Sequence, residues 1–222
     1  MIIIWSLKNN IFYRQTDKNA HPHCDRLERI ALVHNGVIEN SHELREELHA
    51  KHNITFKSET DTEVIAQLIG IYLDAGKDLL EAVQQTIARL EGTWGLVIIS
   101  KKEPDRMIAV RNGSPLLIGL SRGKMFVASE SSAFARHTRE MIALENGEIA
   151  IVTADGVQEI MGQQQKEMKD RVMQAPDVEV EISPYPYPHW TIKEIFEQPE
   201  AISRSLNYGG RFDTENTVKL GG

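Results

Sequence analysis

The chain has 222 residues and a net charge of −7, from 25 basic and 32 acidic side chains. That length fits one large domain or a domain with an appendage, and the acidic balance argues against a general affinity for nucleic acid phosphates. One cysteine, Cys24, excludes an intrachain disulfide and fits a reducing, cytosolic setting.

The opening MIIIW is apolar, but Lys8 and two asparagines follow too soon for a signal peptide or a membrane span. Residues 1–15 show no clean period. NAHPHCD (19–25) is polar, is broken by Pro22 and reads as a loop. IALVH (30–34) is a short strand, and Asn35-Gly36 follows at once. Residues 40–52 read as a helix with Leu44 and Leu48 on one face and Asn40 with Glu43 as a capping box. ITFK (54–57) reads as a strand. A second box, Thr60 with Glu63, opens a helix over 61–75 whose buried stripe is Val64, Ile65, Leu68, Ile69 and Tyr72. Asp78 starts a third helix, and Gly92 stops it.

After Gly92 the period changes to two. Seven short segments between 93 and 161 alternate with turns such as NGSP, SRGK, ENG and ADG. Such tight spacing permits hairpins and not helical crossovers, so antiparallel sheets are expected. SSAFARH (131–137) reads as a short helix. From about residue 163 the chain turns polar, SPYPYPHW (183–190) is not regular structure, and 191–206 reads as a helical connector interrupted near Pro199. Helices grouped early, with strands around and after them, give an α+β layered domain. The expected boundaries are a non-matching segment at 1–15, a domain at 16–165 and a linker or arm at 166–222.

Several motifs carry two readings each. Asn35-Gly36 is a hairpin signal, because both residues tolerate φ > 0, or it presents hydrogen-bond donors to a ligand. SETDTE (58–63) caps a helix and compensates its dipole, or Asp61 offers a carboxylate to an ammonium group. His21, His23, Cys24, Asp25 and His34 are conceivable metal ligands, but adjacent ligands across a proline lack the spacing of zinc sites. Cys24 with His21, His23 or His34 as base is a conceivable thiol nucleophile, against which a lone cysteine is more often unreactive. GSP (113–115) lacks the glycine and lysine pattern of a phosphate loop.

Together the motifs say more. NAHPHCD (19–25), VHNGVIEN (33–40), SETDTEVIAQLI (58–69), LEGTWGLVII (90–99), RNGSPLLIG (111–119), FVASESSAF (126–134) and KEIFEQPEAI (193–202) occur in one order. From Thr16 to Arg211 this set closely resembles the glutaminase half of the glutamine–fructose-6-phosphate aminotransferases. The resemblance implies an N-terminal-nucleophile hydrolase fold, an αββα sandwich of two antiparallel sheets, here incomplete at its N-terminus. It implies glutamine as ammonia donor, with fructose 6-phosphate reached only through a separate isomerase half, in cytoplasmic hexosamine synthesis. No cofactor, metal, nucleic acid or membrane is implied; the family's dimers are built mostly through the isomerase half. Asn35 and Gly36 match the family's oxyanion hole, and Asp61 matches the residue that holds the substrate's α-ammonium group. His21 and Cys24 lie in a matching loop without catalytic assignment.

Two family features do not match. The nucleophile is a cysteine following the initiator methionine, whereas Met1 is followed here by Ile2. The substrate-carboxylate clamp ahead of NAHPH is replaced by WSLKNNIFYRQ. The expectation is a chain truncated at both ends relative to the family and inactive alone, or else a non-catalytic glutamine-binding or regulatory module.

Overall fold

A computed structural model describes residues 2–4, 16–162, 167–175, 183–205, 212–214 and 217–218. The divergent segment WSLKNNIFYRQ lies outside the described residues. The chain divides into two compact units, Met1–Asp177 and Val178–Gly222.

The first unit runs β1 (Ile2–Ile4), β2 (His23–Cys24), β3 (Ile30–Ile38), α1 (Ser41–His52), α2 (Asp61–Asp74), α3 (Leu79–Ile87), β4 (Gly92–Ser100) and β5 (Arg106–Asn112). It continues through β6 (Leu117–Ser121), β7 (Lys124–Ala128), a 3₁₀ turn (Ser131–Ala133), β8 (Glu140–Ala143), β9 (Ile149–Thr153), β10 (Gly156–Met161), α4 (Met168–Arg171) and β11 (Val172–Gln174). Thus α4 and β11 extend this unit past residue 165. The second unit carries α5 (Trp190–Ser205) and a ribbon of β12 (Phe212–Thr214) and β13 (Thr217–Val218). Helix α5 runs through Pro199, whereas the sequence suggested an interruption there.

Two sheets form the first unit. One has the order β10-β9-β5-β4-β3-β2 and is antiparallel throughout. The other has the order β1-β7-β6-β8-β11 and is antiparallel except where β1 runs parallel to β7. This is the two-sheet α+β sandwich that the motifs imply.

The side-chain period of two sorts each strand between layers. Leu96 and Ile98 of β4, Ile108 and Val110 of β5 and Ile30 and Leu32 of β3 face α1–α3, joining Val64, Ile65, Leu68 and Val83. Their neighbours Val97, Met107 and Ala109 face the other way and meet Ile118, Val127 and Ile142 of the second sheet. Phe126, Ala128 and Met141 project from that sheet's outer face against Phe134, beside the 3₁₀ turn.

Three local expectations fail for physical reasons. Ile54–Lys57 forms no strand, because the Lys57 and Ser58 N–H groups donate to the Glu63 carboxylate instead of to a ladder. Asn40 does not cap α1; its side chain donates to Arg89 O and accepts from Glu91 N. The 131–137 helix is only the 3₁₀ turn. The box predicted for α2 is half formed, with Thr60 accepting from Glu63 N, while α3 has the complete box of Asp78 and Glu81. Among the described residues no helix is long and apolar enough to cross a membrane.

Candidate functional site

Asn35-Gly36 is not a turn. Strand β3 continues through it to Ile38, with Asn35 opposite Gly95 and Gly36 opposite Trp94. Glycine is required for a reason remote in sequence. At Gly36 φ is +142°, and an added Cβ would lie 2.1 Å from Thr93 O and 2.9 Å from Trp94 Cα. No L side chain fits between the strands there.

Alternation places Ala31, Val33, Asn35 and Val37 on the face of β3 that looks toward the second sheet. Asn35 is half-buried, and its side-chain amide makes no hydrogen bond to another described residue. Its cross-strand neighbour Gly95 has no side chain to cover it. The Ser114 and Pro115 carbonyls lie over Gly95 instead, the latter 3.2 Å from where a Cβ would stand. Farther along the same face is a 330 Å³ cavity lined by His21, Pro22, Ala31, Leu32, Val33, Val97 and Ile99.

Asp61 reaches this strand from the first turn of α2. Its carboxylate is buried, and Oδ2 accepts the Ile38 N–H at 2.9 Å, two residues beyond Gly36. A dense set of bonds fixes the approach to Asp61. Glu63 accepts from Ser58 N (2.6 Å) and Ser58 Oγ (2.7 Å), and Arg45 donates to Ser58 O and Thr60 O. The NAHPH loop joins in: His23 Nε2 lies 3.0 Å from Thr60 Oγ1, and Glu59 N donates to Asn19 Oδ1. His34, fully buried, contacts Thr62 Oγ1 through Nδ1 and Thr93 O through Nε2.

The structure therefore ties Asp61 to the backbone of the strand that carries Asn35 and Gly36. Of the other residues weighed from sequence, His23 and His34 are hydrogen-bonded partners of this framework. His21 lines the cavity and meets the His23 ring edge-on. Sequence alone left Asn19, Arg45 and Glu63 without a part in the site. Glu63 was visible only as a capping residue, and the long-range bonds of the other two have no local signal.

Cys24 lies elsewhere. It pairs with Ala31, five residues before Gly36 on β3, or roughly 16 Å away at strand rise. Burial pushes its thiol pKa up, and Glu28 and Asp25 add to the rise, the opposite of what activates a nucleophile. Among the described residues no three His, Cys, Asp or Glu side chains converge as a metal site.

A model of the glutamine amidotransferase domain matches residues 8–136. The chain belongs to that family. This amidotransferase domain is 43% identical over 205 residues to a protein of Aquifex aeolicus named glutamine–fructose-6-phosphate aminotransferase (isomerizing), covering 92% of the chain and 34% of that protein. A protein of the same name from Fusobacterium nucleatum is 42% identical over 205 residues, covering 92% of the chain and 33% of the relative. The chain thus spans about a third of the length of these curated relatives. Among solved structures it is similar to a glutamine phosphoribosylpyrophosphate amidotransferase of B. subtilis, with TM-score 0.56 and 26% identity over 67% of this chain and 33% of the other. A second, described as the allosteric regulatory enzyme of purine biosynthesis, has TM-score 0.53 and 27% identity over 63% of this chain and 30% of the other.

Proposed function

We propose that this chain is the glutamine-binding part of an amidotransferase of the glutamine–fructose-6-phosphate aminotransferase type. One observation carries the reading: the Asp61 carboxylate is bonded to the backbone of the strand that bears Asn35 and Gly36, two residues past the glycine. An extended glutamine separates its α-nitrogen from its side-chain carbonyl carbon by roughly 5 Å at standard bond lengths. Two residues of strand span about 6–7 Å. A ligand of that length matches the spacing along the strand.

In this reading Asp61 holds the α-ammonium group. The Asn35 amide and the Gly36 backbone N–H face the side-chain amide oxygen, where charge develops when a nucleophile adds to the carbonyl carbon. Each such donor is worth about 2.7–4 kcal/mol in the transition state. The nucleophile is not Cys24, whose position and raised pKa argue against it. On this reading the chain binds glutamine, and Cys24 does not attack it. In a complete enzyme of this type the ammonia would pass to fructose 6-phosphate on an isomerase part, in the cytoplasm.

Calorimetry with L-glutamine tests this, with Asp61→Asn as the variant. Asparagine keeps an acceptor for the Ile38 N–H and removes the charge. Binding should weaken at least about tenfold, as loss of a hydrogen bond to a charged partner implies. Wild-type chain that gives no heat, or D61N that binds equally well, would refute the site. Glutamate release abolished by Cys24→Ala would refute the exclusion of that thiol.

A further inference from the structure

Asn35 and Gly36 supply donors for the ligand's amide oxygen, but a primary amide also carries two N–H donors that need acceptors. Asn35 stands opposite Gly95, so a side chain on Gly95 would leave the same face of the sheet. In its place are two backbone oxygens, Pro115 O at 3.2 Å and Ser114 O at 3.7 Å from the position of an ideal Cβ. Neither accepts a hydrogen bond from a described residue. The turn that bears them is held by its other groups. Asn112 Nδ2 donates to Gly92 O at 3.0 Å, Ser114 N to Asn112 O at 3.0 Å and Gly113 N to Asn146 Oδ1 at 2.9 Å. At Gly113 an added Cβ would lie 2.6 Å from Thr93 Cγ2, so the turn rests directly on β4. The backbone donors of Gly113 and Ser114 are thus taken within the protein, while two carbonyl oxygens remain on the Asn35 face. Ser114 is half-buried and Pro115 exposed.

We propose that the Ser114 and Pro115 carbonyls receive the N–H groups of the ligand's carboxamide, so that this turn makes the site specific for an amide over the corresponding acid. The inference rests on the proposed role of Asn35 as partner of the amide oxygen. Cross-strand neighbours are adjacent side-chain positions, so a group lying on Asn35 lies beside the oxygens over Gly95. A carboxamide offers an acceptor to Asn35 and donors to the carbonyls. An ionised carboxylate has no donor, and its second oxygen would stand against two oxygens of like partial charge. The turn thus distinguishes glutamine from glutamate, the acid that amide hydrolysis leaves, and the hydrolysed ligand is held less well. Glycine at position 95 is what admits the two carbonyls to this face, because a methyl there would press on Pro115 O.

The test uses the full chain with L-glutamine and L-glutamate. Calorimetry should show glutamine binding at least about tenfold more tightly than glutamate, the scale of a polar group left without a partner. In Gly95→Ala the new Cβ stands 3.2 Å from Pro115 O and displaces that carbonyl, so the ratio of the two affinities should fall toward one. A merely structural defect would weaken both ligands alike. With ¹³C-labelled backbone carbonyls, saturating glutamine should move the Ser114 and Pro115 resonances downfield, as a new hydrogen bond does, and glutamate should not. Glutamate bound as tightly as glutamine, an unmoved ratio in G95A, or carbonyl resonances that glutamine leaves in place overturns the proposal. The carbonyl spectrum needs no variant, so a G95A chain that fails to fold leaves that spectrum to decide. Wild-type chain that binds neither ligand overturns the proposed function itself, whereas glutamine binding with unmoved carbonyl resonances overturns only the part given to this turn.

Discussion

Replacing Gly36 by alanine should damage the fold and the proposed site together. The added methyl would meet Thr93 O at 2.1 Å, Thr93 C at 2.7 Å and Trp94 Cα at 2.9 Å. All three are backbone atoms of the paired strand, so no rotamer relieves the contact. Backbone at φ +142° costs a non-glycine residue about 1–3 kcal/mol. Forcing extra volume into a packed interior costs another 1–3 kcal/mol or so, for a loss of roughly 2–6 kcal/mol. At about 2–4 °C per kcal/mol for a domain of this size, Tm should fall by at least about 4 °C. The control is Gly76→Ala, at φ +83° with nothing within 4 Å of an added Cβ. That variant bears only the left-handed penalty, about 1–2 kcal/mol. Thermal melts followed by circular dichroism compare the two directly. If G36A melts no lower than G76A, the Thr93 carbonyl does not press on Gly36, and the explanation for this glycine is wrong.

Three further outcomes are expected. The rate of Cys24 alkylation by iodoacetamide should have its midpoint above the ordinary thiol pKa of 9.0; a midpoint below that value would reopen Cys24 as a nucleophile. Partial burial alone would raise the Asp74 pKa, but hydrogen bonds from Arg26 and Arg29 outweigh it, so the carboxyl titrates below its usual 3.8. A depressed pKa contributes stability that is present above 3.8 and lost as pH falls through the lower folded value; urea melts of wild type and Asp74→Asn should therefore differ at pH 6 and converge in strong acid. Arg171 and Glu148 form an ion pair with side chains 5% and 2% exposed, so Arg171→Met leaves a buried carboxylate and should cost about 3–5 kcal/mol, while R171M/E148Q should lose less.

The layers of this fold are legible because they follow from period alone. Val97, Met107 and Val127 fall on one face and Leu96, Ile108 and Phe126 on the other, as strict alternation requires. The capping residues Thr60 and Asp78 mark the starts of α2 and α3 by chemistry local to each helix. Where a partner outside the segment takes a group, local chemistry misleads. Ile54–Lys57 has the residues of a strand, yet Glu63 takes the N–H groups that a ladder would use. Asn40 has the chemistry of a cap, yet Arg89 and Glu91 engage it.

Asn35-Gly36 shows the same limit within the candidate site. A turn and a close strand approach both select glycine for positive φ, so the dipeptide alone cannot distinguish them. What decides is the carbonyl of Thr93, far along the chain. Asp61 likewise reads as an ordinary first-turn acid until Ile38 is seen to donate to it. That bond gives Asp61 two separable duties. Its oxygen satisfies a buried N–H, which Asp61→Ala would strand at a cost of about 1–3 kcal/mol. Its charge is surplus to that need, because an amide oxygen would serve the N–H equally well. In the proposed site that charge faces the ammonium group of the ligand. Comparing D61A with D61N therefore separates the acceptor, which belongs to the fold, from the charge, which belongs to the proposed site.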